Sequence, residues 1–314
     1  MLVKNLLRIA SPAGKSGCLS ILIFHRVGPA VDPIYPDEMH VRRFNEVCGW
    51  LKSWFNVLPL DVAAAHMKAG TLPARAACIT FDDGYADNHD VAMPILQRHG
   101  LTATFFIATG FLDGGRMWND TVVEAVRLTK ATVLDLGVLG RLAVGASAEK
   151  ASAIGAILGK IKYLPVAERL ETAQGIADEA GVNLPTNLMM TSAQVKALHR
   201  AGMQIGAHTL SHPILASLSD DEAKFEIKGS KDFLEHLLGE SVRLFAYPNG
   251  KPGEDYSPAS VAVVRRLGFD AAVSTQWGAS CGEDDPFQIK RFTPWDKTRW
   301  RFGARLLTNL RRRV

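Results

Sequence analysis

Short apolar runs alternate along the chain with longer stretches whose apolar residues recur at helical spacing. Leu19-Ser-Ile-Leu-Ile-Phe24 predicts a first buried strand, and Val41 to Phe55 predicts a helix with Phe44, Val47, Cys48, Leu51 and Phe55 on one face. Leu60 to Lys68 predicts a short helix stopped at Gly70. Arg75 to Phe81 predicts a second buried strand, Ala86 to His99 a helix, and Leu101 to Ala108 a strand rich in β-branched and aromatic residues. Within that helix Pro94 marks a kink or a fresh first turn. Strand, helix and strand at this spacing form a βαβ unit, which requires parallel pairing.

The pattern changes from Thr121 to Ala180, an alanine-rich stretch with few β-branched runs that reads as a helical insertion. It then resumes with a helix over Ser192 to Arg200 and a strand over Met203 to Ala207. Ser219-Asp-Asp-Glu222 is a capping-box pattern, and Ala223 to Leu238 continues as an amphipathic helix whose charges read as a solvated face. Val242 to Tyr247, Ala271 to Thr275 and Gln288 to Phe292 are further strands, with a helix over Ser257 to Leu267. The expected organisation is an α/β domain over 19–296, interrupted by helices at about 120–190 and flanked by basic segments over 1–18 and 297–314.

Composition narrows the classes. At 47% hydrophobic and 22% charged residues, the 314-residue chain reads as globular rather than disordered or membrane-embedded. No apolar run approaches the ~20 residues that span a bilayer. The net charge of +4 is modest and gathers at the ends, in Met1 to Lys15 and in Arg299, Arg301, Arg305 and Arg311 to Arg313. A general nucleic-acid surface is therefore excluded. Lys4, Asn5 and Arg8 interrupt the first apolar stretch, so it does not read as a signal peptide, and the expected location is cytoplasmic, peripheral to the inner membrane. Leu2, Leu6, Leu7 and Ile9 near the start, and Trp300, Phe302, Leu306, Leu307 and Leu310 near the end, give two basic amphipathic segments. These either dock on the core or touch an anionic membrane surface. Cys18, Cys48, Cys78 and Cys281 are widely separated and read as buried thiols in a reducing compartment.

The chemistry lies where strands end. Ile79-Thr-Phe-Asp-Asp-Gly84 closes an apolar run with two adjacent carboxylates. Strand side chains alternate, so Asp82 and Asp83 serve one site only if the backbone bends there, as Gly84 permits; in isolation the pair also fits a solvated turn. His25 follows the first strand, and His208-Thr-Leu-Ser-His212-Pro sets two imidazoles in a loop flanked by Gly206 and Pro213. A catalytic zinc takes three protein ligands and keeps one position open, and Asp83, His208 and His212 would supply them. Tyr247-Pro-Asn-Gly250 offers a tight turn whose backbone N–H groups could face a bound oxygen. In a parallel barrel all these strand ends share one face. Together they suggest metal-assisted amide or ester hydrolysis, with Asp82 as base, the turn near Asn249 stabilising the oxyanion, and His25 protonating a leaving amine.

Thr80-Phe-Asp-Asp-Gly84, His208-Thr-Leu-Ser-His212-Pro and Phe245-Ala-Tyr-Pro-Asn-Gly250 resemble, in order, the first three motifs of the polysaccharide deacetylases, carbohydrate esterase family 4. The resemblance runs from about Leu19 to Phe292 and implies a distorted, incomplete (β/α)7-type barrel. It also implies Asp82 as general base, Asp83, His208 and His212 as metal ligands, and an oxyanion donor at the main chain of Asn249. Many members carry a base-orienting arginine in the third motif, where this chain has Ala246; Arg243 and Arg291 are the substitutes, of which Arg291 is favoured. The usual general-acid histidine near the C-terminus is missing, since no histidine follows His236. The turn at His25 resembles a subgroup that carries the acid motif at its N-terminus and includes deacetylases of poly-N-acetylglucosamine-type exopolysaccharides.

The expected activity is therefore metal-dependent removal of N-acetyl groups from amino sugars of a bacterial-type surface polysaccharide, glycolipid or lipid-linked precursor. The metal is expected to be zinc, with cobalt, nickel or iron as alternatives. Two other readings are a carbohydrate-binding barrel without activity and an amidase acting on a small non-sugar amide. Substrate contacts are assigned to Tyr247, Pro248, Tyr85 and Trp118, with Trp277 and Trp295 as further stacking candidates.

Overall fold

The structure, a computed structural model, describes residues 2–311. Arg312 and Arg313 of the basic C-terminal run lie outside the described residues. The chain forms two compact units, one of Met1–Ala30, Met39–Leu112 and Met190–Val314, the other of Val31–Glu38 and Asp113–Met189.

In chain order the strands are β1 (Cys18–Phe24), β2 (Asn56–Val57), β3 (Ala76–Phe81), β4 (Thr104–Ile107), β5 (Val133–Asp135), β6 (Arg141–Ala143), β7 (Gln204–Ala207), β8 (Leu244–Ala246), β9 (Ala271–Trp277), β10 (Ser280–Cys281) and β11 (Ile289–Arg291). The helices are α1 (Leu2–Ala10), α2 (Val41–Trp54), α3 (Leu60–Ala69), α4 (Met93–His99), α5 (Trp118–Leu128), α6 (Ser147–Ile161), α7 (Val166–Ala180), α8 (Ser192–Arg200), α9 (Asp220–Leu238), α10 (Pro258–Arg266) and α11 (Arg299–Arg311).

In the first unit the parallel strands follow the order β1-β3-β4-β7-β8-β9-β11. Ile23 N–H donates to Phe292 O (3.0 Å) and Phe292 N–H to Ile21 O (3.0 Å), which draws the ring nearly shut. Parallel strands buried on both faces read as continuous apolar runs, and β1 and β3 are buried throughout. Alternation divides their side chains. Leu19, Ile21, Cys78, Phe106, Ala246, Val273 and Ile289 form a cluster with α3. Leu22, Phe24, Ile79, Phe81, Phe105 and Phe245 join the larger core that includes Phe44 and Val47 of α2, Ile227 of α9 and Val261 of α10. The first set fills the ring, and α3 closes the end where the strands begin, with Leu60 N–H donating to Gln204 at the start of β7.

Several expectations are corrected. Cys18 and Cys281 form a disulfide, so the four cysteines are not all thiols; only Cys48 and Cys78 are buried thiols. The short β10 pairs antiparallel with β1 and sets the two cysteines opposite each other, a register invisible across 263 residues of separation. Disulfides persist in oxidising environments, which removes the thiol argument for a reducing compartment. The ambiguity at Pro94 resolves as a π-helical turn over Asn88–Ala92 followed by α4, with Pro94 in its first turn.

The second unit contains α5, α6 and α7 around Val122, Val126, Ile154, Ile157, Ile161 and Ile176. It is not wholly helical: β5 and β6 form an antiparallel hairpin through the turn at Gly137–Leu139. Three-residue strands with mostly exposed side chains leave no alternating apolar signal. Among the described residues, no helix is long and apolar enough to cross a membrane.

Candidate active site

The carboxyl ends of β1, β3, β7, β8 and β11 deliver His25, Asp82 and Asp83, His208, Asn249 and Arg291 to one end of the ring. The ladder positions Asp82 directly, because its N–H donates to Phe24 O (2.9 Å) at the end of β1. The bend that separates the two carboxylates begins at Asp83 itself, with φ of 76°, and continues through Gly84 at 93°. A Cβ on Gly84 would lie 3.3 Å from the Ile107 side chain.

Asp82 is buried and held by Arg291, which is fully buried. The guanidinium donates from Nη1 to Oδ1 and from Nη2 to Oδ2, each at 2.7 Å, a bidentate fork. Arg291 is fixed in turn by Ser274 O (2.9 Å) and Thr80 Oγ1 (3.1 Å). Burial raises the Asp82 carboxyl, but the charge and hydrogen bonds of Arg291 together with the nearby imidazoles outweigh it and hold the group below the ordinary carboxylate range. Arg243, the other guanidinium considered from sequence, is exposed and paired with Asp270.

Asp83 is equally withdrawn from water yet differently partnered. Its Oδ1 lies 3.4 Å from Nε2 of both His208 and His212, and it has no hydrogen-bond partner although it is buried. The three ligand atoms lie within 4.8 Å of one another. An orphaned buried carboxylate oxygen is costly unless something occupies the space between these donors. His208 Nδ1 meets Ala246 O at 2.7 Å, so Nδ1 carries the proton and Nε2 presents its lone pair inward, the arrangement that orients metal-ligating histidines. Burial pushes the His212 imidazole down to about 4, keeping it neutral at physiological pH. One carboxylate and two imidazoles, their Nε2 atoms converging on its unpaired oxygen, fit a divalent metal.

The loop carrying both imidazoles is strained. Left-handed φ occurs at Thr209 (66°) and His212 (54°), as it does at Asp83 and at Asn249 (58°). For a β-branched residue such as Thr209 this is an outlier, and such conformations persist only when the surroundings enforce them. Glu226 of α9 supplies that enforcement. Its carboxylate accepts from the N–H groups of Leu210 and Ser211 (2.9 Å each) and from Ser211 Oγ (2.6 Å). On the other side Gly110 N–H donates to Leu210 O at 2.8 Å, where a Cβ on Gly110 would approach that oxygen to 2.7 Å. The expectation that the charges of this helix form a solvated face is therefore corrected at Glu226.

A second brace acts on the His25 turn. Asp87 accepts from Arg26 Nε (2.8 Å) and Val27 N–H (3.1 Å), and Asn88 Nδ2 donates to His25 O (2.8 Å). The His25 side chain is exposed and lies near enough to Asp82, Asp83 and His212 to bear on their titration. At the β8 turn, Tyr247 N–H joins Val273 O (3.2 Å) and Gly250 N–H joins Pro248 O (2.6 Å), while Pro248 has no N–H. Asn249 supplies the turn's remaining main-chain donor.

The aromatic substrate assignments fare differently. Tyr247 is fully buried, stacked on Tyr256 at 3.9 Å and donating its hydroxyl to Phe287 O, so its ring belongs to the core. Pro248 is buried, and Tyr85 is buried beneath the Arg26 guanidinium, 4.8 Å from its ring centre. Packed in this way, these side chains present no exposed face to a sugar. Trp118 belongs to the second unit, where Arg169 lies 4.9 Å over its ring. Trp277 and Trp295 pack together at 5.1 Å with Arg305 against both rings.

A family model described as polysaccharide deacetylase matches residues 69–133 and 169–272, together more than half of the chain. YxkH of Bacillus subtilis strain 168, provisionally described as a polysaccharide deacetylase, is 20% identical over 279 residues, covering 88% of this chain and 71% of its own. Among solved structures, the fold is similar to IcaB from Ammonifex degensii, with a TM-score of 0.63, 17% identity, and coverage of 95% of this chain and 98% of that one. It is also similar to the Streptococcus pyogenes deacetylase PplD in complex with acetate, with a TM-score of 0.61, 20% identity, and coverage of 93% and 98%. At these identities the structural likeness is one of fold.

Proposed function

The chain belongs to the polysaccharide deacetylase family, and on that premise we propose that it is a metal-dependent hydrolase removing N-acetyl groups from amino sugars. Its substrate class is a bacterial-type surface polysaccharide, glycolipid or lipid-linked saccharide precursor. The observation that carries this reading is the unlike partnering of two neighbouring buried carboxylates, Asp82 gripped by Arg291 and Asp83 left facing two imidazoles.

Asp83, His208 and His212 would hold the metal, zinc being preferred, which when bound acidifies a water and polarises the acetyl carbonyl. Asp82, kept ionised by Arg291, accepts the water proton through a lone pair that the guanidinium leaves available. The Asn249 N–H stabilises negative charge on the former carbonyl oxygen. Once the water oxygen has bonded to the carbonyl carbon, His25, exposed near the carboxylates, donates a proton to the departing nitrogen, the C–N bond breaks, and the products are acetate and a free amine. Acetate is also the molecule bound in the PplD structure.

The test is acetate release from a panel of N-acetylated mono-, oligo- and lipid-linked saccharides, using metal-reconstituted protein, a chelated control and Asp82→Asn as the blank. Release from saccharides that disappears in both controls supports the reading. Release only from small non-sugar amides, or no release from any substrate, contradicts it.

A further inference from the structure

Helix α1 is apolar on two faces, and only one of them is used by the fold. Val3 and Leu7 are buried, and α11 lies against Val3 through Gly303. Leu2, Leu6 and Ile9 recur at i, i+4 and i+7, a second stripe along the same helix, and are 64%, 37% and 78% exposed. Lys4 and Arg8 are exposed on α1. Helix α11 adds exposed Arg299 and Arg301, and its Trp300 is 69% exposed. Neither helix contains an aspartate or glutamate.

From this combination we propose that α1, with the start of α11, docks the protein onto an anionic phospholipid bilayer surface. The stripe of Leu2, Leu6 and Ile9 enters the headgroup–acyl boundary, and Lys4 and Arg8, on the polar side of the helix, attract it to anionic headgroups. Amphipathic helices of this kind bind through buried apolar area together with attraction to anionic lipid. Charge decides against a second copy of the chain as the occupant. Both helices carry only basic charges on a chain of net charge +4, so a second copy of the chain offers them no opposite charge. A bilayer rich in anionic headgroups complements both features. The proposal is independent of the catalytic reading, since none of these residues belongs to the site.

Co-sedimentation of the full chain with vesicles tests it. Vesicles of phosphatidylglycerol mixed with phosphatidylcholine should bind the protein, and added salt should weaken binding; phosphatidylcholine alone should bind little. Leu6→Ser with Ile9→Ser should weaken binding at least about tenfold. Lys4→Gln with Arg8→Gln should weaken it about 30-fold at low salt. Thermal unfolding should be unchanged in both variants, because the replaced side chains are exposed. Failure of the wild-type chain to sediment with anionic vesicles would overturn the proposal. So would undiminished binding by the first variant, or sedimentation equilibrium showing a dimer that this variant dissociates.

Discussion

The two sides of the site each bury a carboxylate and treat it in opposite ways. On one side Asp82 receives both arms of a guanidinium fork, and Arg291 is itself satisfied by Ser274 and Thr80. On the other, Asp83 faces two imidazole nitrogens at 3.4 Å with no proton shared between them in good geometry. A satisfied carboxylate keeps its charge and can accept a proton. An unpaired one facing two imidazole nitrogens is suited to hold a cation. The division of labour proposed for the adjacent aspartates rests on these unlike partners, and the left-handed backbone at Asp83 sets the two carboxylates apart.

The largest expected effect comes from removing the base. Asp82→Asn should lower kcat by about 10²- to 10⁴-fold while metal affinity stays close to wild type. An equal loss of metal would blur the two sides into one. Arg291→Met should come next, because breaking a buried ion pair leaves an uncompensated charge and costs about 3–5 kcal/mol of stability. It also moves the pH profile. Asp82 acts ionised, so activity lies above its pKa; without Arg291, burial raises that pKa and the acid limb of kcat/KM shifts to higher pH. The sign for stability agrees: a carboxyl depressed below its ordinary 3.8 stabilises the fold fully above that value and loses the contribution as pH falls below it.

Smaller effects separate the braces. Glu226→Ala releases the strained imidazole loop and should weaken metal binding by about 10- to 100-fold, measured by competition with a chromophoric chelator. Asp87→Ala frees the His25 turn and should reduce kcat by on the order of tenfold without changing metal affinity. Loss of metal in the Asp87 variant, or retention in the Glu226 variant, would reverse these assignments.

The contrast between the two sides was legible in outline. Strands buried on both faces announce themselves as apolar runs, and the residues just beyond Phe24, Phe81 and Ala207 stood out as chemistry at strand ends. Arg291 is reachable as the substitute, in a later strand, for the arginine that the resemblance places where this chain has Ala246. Glu226 was hidden, since one carboxylate on a charged amphipathic helix looks like every other. Tyr247, expected as a substrate contact from its place beside Pro248 and Asn249, instead completes the core against Tyr256. The Cys18–Cys281 disulfide depends on a two-residue strand that returns antiparallel to β1, which no local pattern encodes.

The most direct test of the division between the aspartates is isothermal titration of zinc into three metal-free proteins: wild type, Asp82→Asn and Asp83→Asn. Wild type and Asp82→Asn should bind one equivalent with closely similar affinity, while Asp83→Asn should lose at least about tenfold. Equal binding by all three, or a greater loss in Asp82→Asn than in Asp83→Asn, would contradict the account.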